Sequence, residues 1–241
     1  MCNRYESPDV WEIERHWHIG RRTSDDWARQ MAPLYKGPFV RAWDGDGMLL
    51  DAGQWGMIPP GSEERIPRQK PKPGQKQGAR LSTNNARAER LDSAWTFKYS
   101  WKDGRRCLIP AVSFDEPNWE SGKNEWWRFR RADKELWALA GLWSEWKDPQ
   151  SGEIVPNFTM ITINADAHPL MKRMHRPEVD PKTKQVLPID KQDKRSVVAI
   201  ERENWDRWLK GTVEEARALL QLTPVEYFAA SPAEPNQPVL V

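Results

Sequence analysis

The chain has 241 residues, which fits one large domain or two small ones, and 38% hydrophobic residues suffice for a core beside a charged fraction of 30%. Its 37 Lys and Arg against 35 Asp and Glu give a net charge of +2, which excludes neither a nucleic acid nor a neutral partner, because binding depends on where the charge lies. No stretch approaches the roughly 18 apolar residues of a membrane span, and residues 1–20 lack the apolar core of a signal peptide. We therefore expect one domain over residues 1–241, in a reducing cytoplasm that suits its 2 cysteines.

The first predicted elements are a short helix and a hairpin. Ser24-Asp25-Asp26 supplies a cap and an acidic first turn for a helix that ends at Met31. Two strand-like segments follow, Pro38 to Trp43 and Met48 to Ile58. The turn Asp44-Gly45-Asp46-Gly47 joins them as a hairpin.

Residues 59–80 have a different composition, rich in Pro, Gly, Gln and basic residues and poor in apolar anchors. The cations of this segment are Arg65, Arg68, Lys70, Lys72, Lys76 and Arg80. We predict a mobile basic loop, which is either a solvated insertion or a flexible arm that follows a phosphate backbone.

Strands dominate the rest of the chain. Asn84 to Leu91 is predicted to be a loop entering a helical turn, and in Ala94 to Lys102 the helical and strand periods compete. Further strands are predicted at Arg106 to Phe114, Glu125 to Arg131, Leu136 to Trp143, Asn157 to Ile163 and Ser196 to Ile200. Further helices are predicted at His168 to His175, Glu203 to Leu209 and Val213 to Leu220, and Asp180 to Lys194 is predicted to be a polar segment without regular structure. This pattern predicts an α+β fold.

The second residue is a cysteine, and this gives the start of the chain a specific chemistry. If Met1 is removed, Cys2 carries a free α-amine with a pKa of roughly 7.7 to 8.0 beside a thiol with a pKa of about 8.5. The amine can condense with an aldehyde to an imine, and the thiolate can then close a five-membered thiazolidine ring. Taken alone, however, a cysteine at position 2 is more often incidental.

Three other polar constellations interrupt the predicted elements. Asn84-Asn85-Ala86-Arg87-Ala88-Glu89 places amides and an arginine at a loop-to-helix junction, where they can hold a sugar or phosphate or simply cap the helix. Asp115 and Glu116 end an apolar strand, so alternation points one carboxylate inward as a candidate general acid or base. His168 and His175 share a helical face, but their spacing and the lack of further ligands argue against a metal.

The ordered set of segments resembles the SRAP family, the SOS response-associated peptidases or abasic-site-processing proteins. The match runs from about Met1 to Pro232, and the segments that carry it are Met1-Cys2-Asn3-Arg4-Tyr5, Trp55-Gly56-Met57-Ile58-Pro59, Asn85-Ala86-Arg87-Ala88-Glu89, Arg106-Cys107-Leu108-Ile109-Pro110 with Phe114 and Glu116, Ala140-Gly141-Leu142-Trp143, and Pro169-Leu170-Met171-Lys172-Arg173-Met174-His175. Each segment is weak alone, whereas the ordered set is specific.

The resemblance implies a single α+β domain with a curved, barrel-like, mostly antiparallel or mixed sheet, flanked by short helices. It also implies a self-processing peptidase that removes Met1 and then crosslinks Cys2 to the aldehyde of an abasic site in single-stranded DNA during the DNA damage response. Asn85 would hold the sugar, Glu116 would act as acid and base, and His175 would assist ring opening. No cofactor, metal or membrane is implied, we expect a monomer, and weak lyase cleavage of the strand could accompany the imine.

The resemblance assigns phosphate contacts to Arg4 and Arg87, and a third position departs from the family pattern. The Arg-Met-Pro that usually follows the histidine is missing; instead, Arg176-Pro177 begins what the resemblance implies is an insertion, at about 178–194. We assign the equivalent arginine to Arg195. Asn3 replaces the commonest Gly, and Asp115 replaces a usual aromatic residue.

Two alternative functions remain open on the sequence. An N-terminal-nucleophile amidohydrolase also begins Met-Cys, but normally continues Gly-Ile rather than Asn3-Arg4. A noncovalent module for single-stranded DNA would use the basic loop and some of the 15 tryptophans for binding and leave Cys2 inert.

Overall fold

The computed structural model describes residues 2–19, 26–43 and 47–233. The strands in these ranges are β1 (Arg4–Glu6), β2 (Gln30–Met31), β3 (Lys36–Ala42), β4 (Met48–Trp55), β5 (Asn85–Arg87), β6 (Arg106–Ala111), β7 (Ser113–Asn118), β8 (Glu125–Arg131), β9 (Trp137–Lys147), β10 (Ile154–Asn164), β11 (Arg195–Val197) and β12 (Phe228–Pro232). The α-helices are short: α1 (Val10–Trp17), α2 (Lys98–Lys102), α3 (Trp205–Lys210) and α4 (Val213–Ala218). The predicted α+β class is confirmed.

Five of these strands close into a barrel in the order β10-β4-β3-β6-β9 and back to β10. The pairing of β4 with β10 is parallel and the other pairings around the barrel are antiparallel. Two short strands, β5 and β11, extend the sheet from β10. The predicted curved, mixed, barrel-like sheet is therefore confirmed.

A second sheet, antiparallel throughout, has the order β12-β8-β7-β1-β2. Residues alternate between two hydrophobic clusters, as the two faces of a strand require. On β3, Val40 packs with the helical tryptophans, whereas Phe39 packs with the second sheet and with Cys2. Since β1 lies between β7 and β2, Arg4 to Glu6 are fixed inside the domain.

Some predicted elements differ from the structure. The predicted helix at Ser24 falls partly outside the described residues, and residues 26–31 contain no helix because Gln30–Met31 instead pairs with β1. The predicted hairpin is confirmed by the pairing of β3 with β4, while 44–46 of its turn lie outside the described residues. In the ambiguous segment after Ala94, the helical alternative is the one observed.

The predicted helix from His168 to His175 is wrong beyond one 3-10 turn, Met171–Arg173. The His168 ring nitrogen Nδ1 accepts hydrogen bonds from the Leu170 and Met171 backbone, and His175 has a left-handed φ of 64°, so the helix cannot propagate.

The prediction omitted α1, although its capping box is legible in the sequence. Asp9 accepts a hydrogen bond from the Glu12 backbone, and the Glu12 carboxylate accepts one from the Asp9 backbone. The described residues contain no helix that has both the length and the apolar character to cross a membrane.

Closure of the barrel depends on a close approach at Gly53, and this generates a stability prediction. A Cβ at Gly53 would lie 2.5 Å from the Pro156 carbonyl oxygen on β10. We expect Gly53→Ala to destabilise the protein by about 1–3 kcal/mol, because the backbone of one barrel strand must shift. Urea unfolding measures the change.

The matched control is Gly47→Ala, since a Cβ there meets no atom of the described residues within 4 Å. Its free energy of unfolding should change by no more than about 0.5 kcal/mol. Equal effects of the two substitutions would contradict the importance of this contact.

Candidate active site

Cys2 lies two residues before the start of β1 and is completely buried. Its thiol donates a hydrogen bond to the Arg4 carbonyl oxygen at 3.3 Å. Burial raises the pKa of the Cys2 thiol well above its ordinary value, and the negative charge of Glu116 raises it further. The thiol is therefore protonated at neutral pH and must lose its proton as it reacts.

Asn85, the first residue of β5, and the preceding Asn84 hold the backbone of Cys2. The Asn85 amide donates to the Cys2 carbonyl oxygen at 2.6 Å, and the Asn84 amide donates to the same oxygen at 3.2 Å. Asn84 also donates to the Asn3 side-chain oxygen at 2.9 Å, and its own carbonyl accepts from the Trp55 indole. Because both asparagines are buried, these contacts fix the main chain at Cys2.

Glu116 and His175 form a close side-chain pair in the site. The His175 Nε2 atom lies 2.8 Å from Glu116 Oε2, and the glutamate side chain is only 1% exposed. Burial by itself would raise the pKa of Glu116, but the positive charge of the amino terminus and the contact with His175 outweigh it and hold the pKa below its ordinary value. Glu116 is thus an ionised carboxylate at neutral pH.

The bend that presents His175 is supported by a lysine that the sequence analysis missed. Lys194 is buried, and its ammonium donates to the carbonyl oxygens of Met174 and His175 at 2.8 and 2.7 Å. The His175 backbone donates to the Pro117 carbonyl at 2.6 Å, which ties the bend to β7. Lys194 lies 19 residues from His175 in the sequence, so no local pattern signals this contact.

The neighbouring carboxylate is separated from Glu116 by strand alternation. Asp115 points to the other face of β7, where the Arg128 guanidinium donates to both of its oxygens at 2.9 and 3.0 Å. Arg4 lies opposite Asp115 on β1, with 3.8 Å between the charged atoms. Asp115 therefore holds arginines, whereas Glu116 faces the candidate reacting groups.

The three arginines assigned to phosphates have different surroundings. Arg4 keeps 18% of its side chain exposed, and Arg87 keeps 41% exposed while pairing with Asp193 at 2.8 Å. Arg195 is only 3% exposed and donates to both oxygens of Glu89 at 2.8 and 2.9 Å. This geometry makes Arg195 a link between β11 and the segment after β5, and its contact with phosphate stays a prediction.

Three half-buried tryptophans, two on β8 and one just after β7, each lie under an arginine. The guanidinium carbons of Arg4, Arg173 and Arg176 lie 4.6, 5.0 and 5.4 Å from the ring centres of Trp126, Trp127 and Trp119. Such cationic aromatic surfaces suit stacking and phosphate contact.

His168, which the sequence analysis paired with His175, lies elsewhere. It is buried, and its Nε2 donates to the Thr223 carbonyl oxygen at 2.9 Å. Across the ranges 2–19, 26–43 and 47–233, the structure contains no group of three His, Cys, Asp or Glu side chains that could hold a metal ion.

Comparison with known proteins relates the chain to DNA-lesion proteins. Abasic site processing protein YoqW of Bacillus subtilis is 30% identical over 133 residues, which are 55% of this chain and 52% of YoqW. Abasic site processing protein HMCES of Xenopus tropicalis is 27% identical over 146 residues, covering 53% of this chain and 40% of that protein. The match therefore spans about half the length of these relatives or less.

Solved structures share the fold over nearly the whole chain. A crystal structure of a protein from Bordetella bronchiseptica superposes with a TM-score of 0.78 at 29% identity, covering 97% of this chain and all of that one. A protein from Bacteroides thetaiotaomicron has the same fold, with a TM-score of 0.67 at 16% identity and coverage of 96% and 92%. The model of the family described as SOS response associated peptidase (SRAP) matches residues 1–236. A buried cysteine, an asparagine clamp and a Glu–His pair thus lie within a chain that belongs to the SRAP family.

Proposed function

We propose that this protein processes abasic sites by forming a covalent thiazolidine between Cys2 and the ring-opened sugar in single-stranded DNA. The observation that carries the proposal is the Glu116–His175 pair, at 2.8 Å, in the same buried site as the clamped Cys2. The names of the relatives YoqW and HMCES support abasic DNA as the substrate.

The first step is removal of Met1. Hydrolysis of the Met1–Cys2 peptide bond consumes one water and leaves methionine and a free α-amine on Cys2. The Glu116 carboxylate accepts a proton from the attacking water, and the proton is delivered to the departing amine. While this peptide bond is intact, the nitrogen of Cys2 is an amide and cannot form an imine.

The second step joins the amine to the aldehyde. The nitrogen attacks the carbonyl carbon, and the resulting carbinolamine loses its hydroxyl as water when a proton is supplied to the leaving oxygen. His175 is suited to supply this proton, since an imidazole can donate and accept protons and its Nε2 lies 2.8 Å from Glu116. Asn85 holds the Cys2 carbonyl, so the nitrogen next to it is restrained during the attack.

The third step closes the ring. The Cys2 sulfur adds to the imine carbon, the C=N bond becomes a C–N single bond, and the nitrogen gains a proton in exchange for the one lost by the thiol. The nearby Glu116 carboxylate is suited to relay this proton, because the thiol is otherwise kept neutral by burial. Ring closure consumes the imine. It therefore suppresses the elimination reaction by which a lyase cleaves the DNA strand.

Single-stranded DNA fits the position of the site. A thiol with no exposed surface can meet the aldehyde only if the sugar leaves the stacked bases, which costs least in an unpaired strand. Arg4 and Arg87 are suited to hold the flanking phosphates, and a phosphate would replace Asp193 at Arg87. We propose that Arg195 stabilises this phosphate-binding surface indirectly, through its ion pair with Glu89.

The crosslink itself can be tested with a single-stranded oligonucleotide that carries one natural abasic site. We expect the parent protein to give a band that survives heat and denaturant, and Cys2→Ala to give none. Cys107→Ala is the matched control, since Cys107 is equally buried but belongs to a barrel strand, and this variant should crosslink normally.

The outcomes of this experiment distinguish covalent crosslinking from the two alternative functions. A Cys2→Ala band equal to that of the parent would contradict the crosslink. Full dissociation on denaturation with steep salt dependence would support a noncovalent DNA module, and glutamine hydrolysis without an adduct would support an amidohydrolase. Mass measurement of the N-terminus shows whether Met1 has been removed from the sample.

If Glu116 and His175 act as acid and base, substituting either residue should slow the crosslinking reaction and leave DNA binding intact. Glu116→Gln and His175→Ala should each slow adduct formation about a hundredfold or more, the usual scale of general acid–base catalysis. Glu135→Gln is the control, because that glutamate pairs with His16 at the surface. Unchanged single-turnover rates in both site variants would exclude these roles.

Glu116 also predicts how stability depends on pH. Because its pKa is lower in the folded protein than its ordinary value of 4.5, its carboxylate contributes stability above pH 4.5, and this contribution is lost as the pH falls through the lowered pKa. The stability difference between the parent and Glu116→Gln should therefore shrink in acid. Urea unfolding from pH 7 to 3 measures it, and a difference independent of pH would refute the ionised state.

A further inference from the structure

An open cleft of about 390 Å³ is lined by His175 and by part of the insertion, residues 178–194. Trp119, which follows β7, lines the cleft together with the aliphatic side chains of Val186, Leu187 and Ile189. Its lining is mainly apolar, although the cleft opens to solvent. None of the steps of the proposed reaction uses this space.

The aliphatic wall is braced by hydrogen bonds within the insertion. Gln192 is 4% exposed, its side-chain oxygen accepts from the Glu178 backbone at 2.9 Å, and its amide donates to the Leu187 carbonyl at 2.5 Å. Val179 and Val186 pair as an antiparallel bridge across the loop. The insertion is thus folded back on itself, and its apolar side chains are held at the cleft.

These aliphatic side chains are unusually open to solvent. Val186 is 63% exposed and Ile189 is 56% exposed. A loop that only connected two elements would carry polar side chains at such exposed positions. Trp119, the aromatic wall of the cleft, lies beneath the Arg176 guanidinium at 5.4 Å, so its ring already accommodates a planar group. A flat, largely apolar ligand would contact both walls.

The rim of the cleft is cationic. Lys172 and Arg173 lie along it, and Lys194 lies at its inner end beside the His175 backbone. Glu120 is the acidic residue of the lining, and the Arg173 guanidinium neutralises it at 2.7 Å. The surroundings therefore favour a ligand that joins a flat apolar group to a negatively charged backbone.

We propose that this cleft binds the nucleobase next to the abasic site, stacked on Trp119 and covered by the insertion. The inference rests on the proposed function, because it is the contact of His175 with the abasic sugar that brings the neighbouring nucleotide to the mouth of the cleft. Base recognition by stacking tolerates any sequence, since every base has a π-face. A purine offers more stacking area than a pyrimidine and binds more tightly here.

The test uses DNA that cannot react. Single-stranded oligonucleotides carry a central tetrahydrofuran, which lacks the aldehyde, and either keep both neighbouring bases or lack the 5′ or the 3′ neighbour through a second tetrahydrofuran. Fluorescence anisotropy gives each Kd. For the parent, we expect binding to weaken about tenfold when the neighbour on one side is removed, and little when the other is removed.

Two variants attribute this loss to the cleft. Trp119→Ala and the double variant Val186→Ser/Ile189→Ser should bind the complete oligonucleotide more weakly and should lose nothing further when the same neighbour is removed. The double variant changes only exposed side chains, so it tests the cleft even if Trp119→Ala fails to fold. Trp11→Ala is the matched control, because Trp11 is 78% exposed on α1 and does not line the cleft.

The inference is overturned if removing either neighbour leaves the Kd of the parent unchanged, or if the double variant keeps the full dependence on the neighbour. Crosslinking to natural abasic DNA is measured in parallel. A crosslink without dependence on a neighbour refutes the base cleft alone, whereas dependence on a neighbour without a crosslink refutes the covalent chemistry alone.

Discussion

The pairing of β1 with β7 is the constraint on which the candidate site depends. An amino terminus is normally free to fray, and a reactive residue at position 2 would then sample many orientations. Here Arg4 to Glu6 lie between two strands of an antiparallel sheet, and Tyr5 packs into the core. The same pairing places Cys2 near the end of β7, where Glu116 lies. The reactive residue and its carboxylate are therefore held by one set of backbone hydrogen bonds.

Asp115 and Glu116 are neighbours on β7, and their negative charges would repel each other if both side chains lay on the same face of the strand. Alternation along the strand places them on opposite faces. Asp115 is compensated by two arginines on one face, while Glu116 meets an imidazole on the other. A buried charge is costly unless it is paired and hydrogen-bonded. The cost of burying Glu116 is thus linked to the presence of His175, which explains why the backbone at His175 is held so closely.

Four consecutive residues connect the elements around His175: the last three residues of the insertion and the first residue of β11. Gln192 closes the loop, Asp193 pairs with Arg87, Lys194 holds the His175 bend, and Arg195 pairs with Glu89. These contacts connect β5, the histidine turn and β11, although the insertion itself has little regular structure. The predicted insertion, residues 178–194, is therefore part of the framework of the site, and its aliphatic side chains form one wall of the adjoining cleft.

The sequence by itself determined the class of the fold, most of the strands, and the residue types of the candidate site. Period-two alternation and turn residues are local signals, so the hairpin of β3 and β4 and strand β8 could be read directly. The chemistry of Cys2 is likewise intrinsic to its position. Only the tertiary structure decided that Cys2 is buried, that Asp115 instead pairs with Arg4 and Arg128, and that Lys194 supports the turn. These relations join residues far apart in the chain, and they depend on strand register and on compensation of buried charge, neither of which has a local signature in the sequence.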